Sequence, residues 1–322
     1  MYDVITFGSA TIDVFAKTDI EMISIKHGKE EEDYIAYESG SKILIEELDF
    51  MLGGGGTNTA VSFSRLGLKT AFCGCVGKDE NAESIIESLK KENVEYIGTK
   101  TNGKSGYSVI LDSVENDRTI LTFKGVNNNL KYKDINKKIL DSKWFYFSSL
   151  MGESYNTFVK LTEFAKKKGI KVAFNPSSYL AKKGHEFLKK PLKNTDFLVL
   201  NLEEAKLLAG EHGIKELLKK LRSYGPSVVA ITNGKEGAYA HNKHSYFIPA
   251  GKIKVKETTG AGDAFASSFL TGLILKDDIK FALKLASANS ESVIKNLGAK
   301  NKLLTLKEAK QNIKNKRVKN IK

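Results

Sequence analysis

Strand-like and helix-like segments alternate along most of this chain, and the alternation limits the architectures that it can adopt. Segments rich in apolar and β-branched residues lie at 2–8, 69–76, 143–148, 171–174, 196–200 and 227–232. Helical periodicity marks the intervening segments 81–91, 154–168 and 203–209, and a further helix is expected at 264–275. Strands separated by helices favour a mostly parallel sheet with helices on both faces. The sequence therefore predicts an α/β fold.

Two regions, 14–52 and 105–124, interrupt the alternation with short β-like pieces. These pieces lie at 33–37, 41–45, 107–111 and 119–123, and a polar turn at 113–117 separates the last two. Such insertions can form a small β-sheet lid over an active site, although ordinary surface hairpins are the alternative. Because the chain has no Pro/Gly/Ser-rich linker, we expect one domain over 1–322 with a lid from these two regions.

The formal net charge of +13 raises the question of nucleic-acid binding. The basic residues are spread along the chain, and the one compact basic run, 314–319, is expected to be a frayed, solvated tail. The charge pattern therefore argues against a nucleic-acid partner and suits anionic nucleotides. No apolar run reaches membrane-spanning length, so we expect a cytoplasmic protein. The two cysteines, Cys73 and Cys75, are expected to be buried free thiols.

The most chemically informative segment is Thr258-Thr259-Gly260-Ala261-Gly262-Asp263-Ala264-Phe265. Its small residues let backbone N–H groups close on an anion at the start of the expected helix, where the helix dipole adds to the attraction. Asp263 would then place a carboxylate beside that anion. This arrangement fits a base that takes a proton from a hydroxyl group as the hydroxyl attacks phosphorus. The alternative is a glycine-rich turn in which Asp263 caps the helix.

A second glycine-rich segment, Gly53-Gly54-Gly55-Gly56-Thr57-Asn58-Thr59-Ala60, precedes an amphipathic stretch at 61–66. Four glycines allow the backbone to approach another group closely or to adopt positive φ. Asn58 would lie on the first helical turn and could reach a ligand. A flexible hinge is the alternative, but a hinge does not require a helix directly after it, so we favour a binding role.

Residues 98–105, Gly-Thr-Lys-Thr-Asn-Gly-Lys-Ser, match the P-loop pattern of nucleotide-binding proteins. A P-loop must run into a helix whose N-terminus binds the phosphates. Here residues 107–111 alternate like a strand, and Asn102-Gly103 is typical of a tight turn. The sequence therefore predicts a turn at this position rather than an ATP site.

Three further segments are ordinary in isolation: Asp13, Asn201-Leu202-Glu203-Glu204, and Thr232-Asn233-Gly234-Lys235-Glu236-Gly237. Taken in order with the two glycine-rich segments, from residue 2 to about 304, they resemble the ribokinase-like carbohydrate kinases, also called the phosphofructokinase-B family. Residues 117–125, Asp-Arg-Thr-Ile-Leu-Thr-Phe-Lys-Gly, also resemble the family's lid-edge strand. The resemblance implies a ribokinase-like three-layer sandwich with a small β-sheet lid. It also implies transfer of the γ-phosphoryl group of ATP to a sugar hydroxyl.

The resemblance further implies a role for each matching residue. Asp263 would be the general base, and the anion hole would be formed by Gly260, Ala261 and Gly262. The sugar hydroxyls would be held by Asp13, Gly53, Gly54 and Asn58. The nucleotide would be contacted by Asn201, Glu204, Thr232, Gly234, Gly237 and, on a looser match, Asn289. Glu204 would hold Mg²⁺ through water, and Asn175 matches an Asn-Pro pair near the phosphates.

Two positions depart from the family pattern. Glu257 stands where the family usually has aspartate, at a position that helps to shape a monovalent-cation site in several members, so potassium activation stays open. Gly55 stands where many ribokinases carry lysine, so the acceptor sugar is not identified. A nucleoside kinase of the same family and a catalytically silent sugar- or nucleotide-binding protein are the alternatives. Because lid strands in this family often pair two subunits, the resemblance also implies a homodimer.

Overall fold

The computed structural model describes residues 1–18, 22–27, 30–36, 39–112, 118–296 and 298–321. Its strands are β1 (Tyr2–Phe7), β2 (Thr11–Thr18), β3 (Met22–His27), β4 (Glu30–Ile35), β5 (Ile45–Gly53), β6 (Thr70–Cys73), β7 (Cys75–Val76), β8 (Val94–Tyr96), β9 (Thr99–Lys100), β10 (Gly106–Asp112), β11 (Arg118–Phe123), β12 (Ser142–Phe147), β13 (Lys171–Phe174), β14 (Phe197–Asn201), β15 (Val228–Asn233), β16 (Gly237–His241), β17 (Ser245–Pro249) and β18 (Lys319–Ile321). Its α-helices are α1 (Gly55–Arg65), α2 (Glu80–Lys91), α3 (Glu153–Lys168), α4 (Ser177–Ala181), α5 (Gly184–Lys193), α6 (Leu202–Ala209), α7 (Ile214–Ser223), α8 (Ala261–Lys276), α9 (Ile279–Val293) and α10 (Leu306–Asn312). Short 3₁₀ helices lie at Gly125–Asn129, Tyr132–Asp134, Lys137–Ile139 and Gly234–Glu236.

Within these ranges, ten strands form one sheet in the order β18-β17-β16-β15-β14-β13-β12-β1-β6-β8. Neighbouring strands from β15 to β8 are parallel, whereas β16, β17 and β18 are added in antiparallel pairs at one edge. The predicted mostly parallel sheet is therefore confirmed. Strands from both ends of the chain, β1 and β18, belong to this sheet.

Alternate residues of the central strands pack against helices on opposite faces, as the period of two in a strand requires. In β1, Val4 lies in the apolar cluster that includes residues of α1, α8 and α9, whereas Ile5 and Phe7 lie in the cluster that includes α3, α5, α6 and α7. Tyr146 and Phe145 of β12 divide between the same two clusters. The helices on both faces complete a three-layer sandwich.

A smaller sheet contains four of the described strands in the order β11-β10-β2-β5. β2 pairs in parallel with β10 and antiparallel with β5, and β10 pairs antiparallel with β11. These strands come mainly from the two regions that interrupt the alternation, which confirms the expected lid sheet. The predicted strand at 41–45 is wrong, since β5 begins only at Ile45. The predicted strand at 33–37 overlaps β4, while residue 37 and the turn at 113–117 lie outside the described residues.

Two further differences concern the C-terminal part of the chain. α8 begins at Ala261 rather than at Ala264, so Ala261, Gly262 and Asp263 form its first turn. The tail at 314–319, expected to be solvated, instead packs on the domain. There Lys316 Nζ lies 2.7 Å from Glu291 Oε1, and Val318 packs against the core on the α8–α9 face. Burial of Val318 and the pairing of β18 with β17 explain why the tail is held despite its charge.

Cys73 and Cys75 are both buried free thiols, as predicted. Gly74 between them separates β6 from β7, so the predicted single strand at 69–76 is two strands. Burial raises the pKa of the Cys73 thiol to about 12, and the neighbouring Cys75 adds to that shift. The Cys73 thiol is therefore uncharged at neutral pH, which is typical of a core residue.

Candidate active site

The carboxyl ends of the parallel strands bring the candidate site together. Ser148 follows β12, Asn175 follows β13, Asn201 ends β14, and Thr232 lies near the end of β15. Both glycine-rich segments reach the same edge, because α1 and α8 begin there and the Gly56 N–H donates to Ser9 O at 3.0 Å. In open α/β sheets, ligands bind outside this edge.

Two adjoining cavities open at this edge, and Asp263 lines both of them. The first, which we call the Ser148 cavity, measures about 230 Å³, and its lining includes Gly55, Lys124, Ser148 and Ser177. The second, the Gly262 cavity, measures about 240 Å³, and its lining includes Asn201, Glu204, Thr232, Gly260 and Gly262. A larger cavity of about 680 Å³ lies at the opposite edge, near the start of β12 and β13, and none of the motif residues lines it.

The start of α8 lines the Gly262 cavity, at the position of the predicted anion hole. Gly260 adopts a φ of 78°, and a Cβ atom there would lie 2.5 Å from the Cα of Ala299, so only glycine fits. A Cβ atom on Gly262 would meet nothing within 4 Å, which leaves free space above the first helical turn. The N–H groups of this turn have no acceptor within the helix. The Ala261 N–H instead donates to Thr258 O, before the helix, at 3.2 Å, and Ala261 does not line the cavity.

A buried hydroxyl beside this turn also lacks a partner. Thr259 Oγ1 is one of the buried polar atoms for which the described residues offer no hydrogen bond. Buried polar groups in native proteins are almost always paired. The unsatisfied hydroxyl next to Gly260 therefore supports a ligand with acceptor oxygens at this position.

The surroundings of Asp263 set the pKa of its carboxyl group close to the range that suits a general base. Its Oδ2 atom accepts a hydrogen bond from Asn58 Nδ2 at 2.9 Å. Burial raises the pKa of the Asp263 carboxyl to about 6, while the Asn58 hydrogen bond and the positive charge of Lys300 oppose the rise. The carboxylate is thus ionised at neutral pH and more basic than an exposed aspartate.

Lys300 is the main site residue that the sequence did not reveal. Its ammonium group donates to Leu52 O at 2.5 Å, to Thr57 Oγ1 at 3.2 Å and to Asn58 Oδ1 at 2.5 Å, so all three protons have acceptors. Lys300 therefore fixes the Asn58 amide with its NH₂ group toward Asp263. Burial lowers the pKa of Lys300 to about 7. The positive charge of Arg65 adds to this shift, whereas the negative charges of Asp13, Asp263 and Glu92 oppose it. No motif contains Lys300, and lysine is too common here for composition to single it out.

Replacing Lys300 with methionine should shift the pH dependence of turnover. The substitution removes the cation that lowers the pKa of Asp263, so that pKa should rise above about 6. Because a base must be ionised to act, activity should then fall at a higher pH on acidification than in the wild type. A pH profile of kcat measures the change. The control is Lys302→Met, an exposed lysine of the same segment. An acid limb that is the same in Lys300→Met and wild type would contradict the coupling.

The glycine-rich segment at 53–60 packs closely against neighbouring residues, and it also lines part of the Ser148 cavity. A Cβ atom on Gly53 would lie 1.8 Å from Asp13 Oδ2, and Gly54 adopts a φ of 92°. Asp13 lies within the lid strand β2, and its Oδ1 accepts a hydrogen bond from Thr11 Oγ1 at 2.7 Å. Gly55, rather than Gly53 or Gly54, lines the Ser148 cavity. Asn58 lines neither cavity, but its amide contacts Asp263, which lines both.

Asn201 and Glu204 form a capping box at the start of α6. Asn201 Oδ1 accepts from the Glu204 N–H at 2.8 Å, and Glu204 Oε2 accepts from the Asn201 N–H at 3.0 Å. Burial raises the pKa of Glu204, the backbone N–H groups of Asn201 and Ser178 lower it, and Asp263 raises it further. The local motif therefore has a structural role, and it also places a carboxylate in the Gly262 cavity. Oxygen ligands of this kind suit Mg²⁺ that keeps part of its water shell.

Of the remaining residues predicted to contact the nucleotide, only Thr232 lines the Gly262 cavity. Gly234 and Gly237 form the adjoining turn between β15 and β16. Asn289 lies in the core, fully buried, where its Nδ2 donates to Ser268 Oγ at 2.7 Å and its Oδ1 accepts from the Leu304 N–H at 2.8 Å. Its amide is thus bonded within the core, outside the lining of both cavities, and its contact with adenine stays a prediction.

Glu257 uses its carboxylate within the protein. Its Oε2 atom accepts a hydrogen bond from the Gly298 N–H at 2.6 Å. This contact joins the segment before α8 to the loop that carries Lys300. Glu257 therefore helps to hold the Lys300 loop against the segment before α8. Potassium activation stays open.

The P-loop-like segment lies outside both cavities. β10 rather than a helix follows it, as predicted, and Ser105 Oγ donates to Asp79 Oδ1 at 2.7 Å. We expect Lys104→Ala to leave the affinity for ATP within about threefold of wild type, a change below ~1 kcal/mol. Isothermal titration with ATP measures it. A large loss of ATP binding in a variant with a native circular dichroism spectrum would reopen this segment as the nucleotide site.

Comparison with known proteins identifies the family of this chain. The family model described as "pfkB family carbohydrate kinase" matches residues 3–306. The ribokinase of Lactococcus lactis is 30% identical over 281 residues, which cover 86% of this chain and 90% of that protein. The structure of a ribokinase from Thermotoga maritima superposes with a TM-score of 0.81 at 23% identity, covering 98% of this chain and 100% of the other. A nucleoside kinase from Methanocaldococcus jannaschii gives a TM-score of 0.77 at 20% identity, covering 97% and 98%.

In the ranges that the structure describes, no helix has the length and apolarity needed to cross a bilayer. The matched region spans both glycine-rich segments and every strand of the lid. Most of the chain is covered by the family model, and the Lactococcus relative covers a similar share. The chain therefore belongs to the pfkB family of carbohydrate kinases.

Proposed function

We propose that this protein transfers the γ-phosphoryl group of ATP to a hydroxyl group of a sugar or sugar derivative. The observation that carries the proposal is the position of Asp263, which lines both the Ser148 cavity and the Gly262 cavity. A base must contact the acceptor hydroxyl on one side and lie next to the transferred phosphoryl group on the other. The junction of the two cavities meets both conditions.

The residues that line each cavity indicate which of the two substrates it would bind. The acceptor would occupy the Ser148 cavity, and the ATP phosphates would occupy the Gly262 cavity above the first turn of α8. Asp263 takes the proton as the hydroxyl oxygen bonds to phosphorus. The bond to the β-phosphate oxygen breaks, and ADP leaves. Backbone N–H groups around Gly262 stabilise the negative charge on the phosphoryl oxygens.

Asn201 and Glu204 are the residues that would hold Mg²⁺, through water, beside the phosphates. When bound, the ion would neutralise charge on the phosphate oxygens. The nucleoside half of ATP would lie along the turn that contains Gly234 and Gly237. Because ATP is a cytoplasmic co-substrate, we propose a cytoplasmic enzyme.

We further propose that 1–322 act as one kinase domain whose lid, 14–52 and 105–124, mediates a homodimer. The lid exposes large apolar side chains on its edge strands, including Phe50 at 65% exposure and Leu121 at 56%. Such apolar surface is typical of a protein interface. Sedimentation at high concentration tests the dimer, and a single monomeric species would contradict it.

An ADP-release assay with ATP, Mg²⁺ and a panel of sugars, sugar derivatives and nucleosides tests the main proposal. ADP formation that depends on one acceptor supports a kinase, and a nucleoside in that role would identify the alternative activity. Thermal stabilisation by an acceptor without any ADP formation would instead indicate a binding protein. The same panel with a nonhydrolysable ATP analogue separates binding from turnover.

A further inference from the structure

Lys124 is a half-buried cation whose ammonium group forms no direct ion pair with the described residues. It follows the lid-edge strand β11 and lines the Ser148 cavity close to the proposed base. In the described part of the chain no carboxylate or hydrogen-bond acceptor binds its ammonium group. The group lies over the ring of Tyr179, with Nζ 4.6 Å from the ring centroid. Burial lowers the pKa of Lys124, and the negative charge of Asp13 partly opposes this shift. A half-buried ammonium group without a hydrogen-bond acceptor is costly.

The backbone at Lys124 is fixed, so the position of the cation is built into the fold. Asn127 Nδ2 donates to Lys124 O at 2.9 Å and to Ala10 O at 2.9 Å. Asn127 Oδ1 also accepts from the Ala10 N–H at 2.9 Å. These bonds tie the end of the lid strand to the connection between β1 and β2. Lys124 is therefore presented to the cavity rather than extended from a free loop.

Two hydroxyl groups that line the same cavity also lack partners. Ser149 Oγ and Ser177 Oγ are buried and, among the described residues, have no hydrogen-bond partner. Ser177 also has a φ of 50°, a backbone conformation that is unfavourable for serine. Backbone strain of this kind concentrates at ligand sites. An unpaired cation and two unpaired hydroxyls in one cavity together indicate a ligand that supplies acceptor oxygens and a negative charge.

The size and position of the cavity assign this ligand to the acceptor rather than to ATP. At about 230 Å³ the Ser148 cavity has room for a monosaccharide. The anion-binding turn of α8 and Glu204 line the other cavity, and Lys124 does not. We propose that the acceptor is an anionic monosaccharide, a sugar acid or a sugar phosphate, whose charged group pairs with Lys124. This inference rests on the proposed kinase function and specifies its substrate class.

The test compares matched acceptors that differ only in charge. Aldonates are assayed against the corresponding neutral sugars, and sugar monophosphates against their parent sugars. Wild type should prefer one anionic series over its neutral partners by roughly tenfold to 100-fold in kcat/KM, the usual range for a charged hydrogen bond. The series that is preferred shows whether the charged group is a carboxylate or a phosphate. In Lys124→Met the preference should fall to near one, and Lys124→Arg should retain most of it.

Lys133→Met, which changes an exposed lysine of the segment after the lid, is the control for the loss of charge and should keep the wild-type preference. A wild-type preference for neutral sugars or nucleosides would overturn the assignment. So would a Lys124→Met variant with an unchanged preference and a raised KM for ATP, because Lys124 would then serve the nucleotide.

A failure of the kinase proposal itself has a different signature, since no acceptor would then produce ADP with wild type. Thermal-shift titration with the same acceptors still decides the role of Lys124 in that case. Stabilisation by anionic sugars that is lost in Lys124→Met supports the anion subsite, and equal stabilisation of both proteins contradicts it.

Discussion

Turnover should fall by roughly 10²–10⁴-fold when Asp263 is replaced by asparagine, the usual contribution of general-base catalysis. The amide keeps the size of the side chain but cannot accept the proton of the attacking hydroxyl. Affinity for ATP should change little, because the anion-binding turn is made of backbone groups. Steady-state kinetics with the acceptor found in the panel, and titration with a nonhydrolysable ATP analogue, measure the two effects.

The same helix provides a matched control for this substitution. Asp277 lies just after the C-terminal end of α8, is exposed and has a φ of 49°, a conformation that asparagine adopts readily. Asp277→Asn therefore makes the same change in charge away from both cavities and should keep wild-type turnover. If Asp263→Asn also retained near-native turnover, Asp263 would not be the base and the proposed mechanism would be wrong.

Gly262→Val should lower kcat/KM for ATP by at least roughly 100-fold. The substitution places a branched side chain in the free space above the first turn of α8, where the transferred phosphoryl group would bind. Loss of a preorganised anion-binding group costs about 10²–10³-fold in enzymes that stabilise charge in this way. Gly262→Ala, with a smaller side chain in the same space, should give an intermediate loss. Kinetics at varied ATP concentration gives the size of both effects.

Gly213→Val is the control, because Gly213 is exposed at the start of α7 and also has free space around its Cβ position. Its ATP kinetics should match wild type, with at most a small loss of helix stability. Near-native ATP kinetics in Gly262→Val, with a native melting curve, would show that the phosphates bind elsewhere.

The sequence by itself determined the architecture and the parts of the site that lie on consecutive residues. The alternation of segments predicts the parallel sheet because each strand and helix carries its own apolar periodicity. The proposed anion-binding turn at 260–263 and the capping box of Asn201 and Glu204 are similarly local. In both, residues a few positions apart meet at one helix end, so their spacing alone brings them together.

Only the tertiary structure decided which distant residues complete the site. Lys300 bonds to Asn58 across most of the chain, and Lys124 lines a cavity with Asp263 although the two are far apart in the sequence. The 51 lysine and arginine residues of the chain make neither stand out in the sequence. Asn289, chosen on its spacing, is instead bonded within the core. A lysine or asparagine acquires its role from the groups packed around it, and that packing is set by the fold rather than by local pattern.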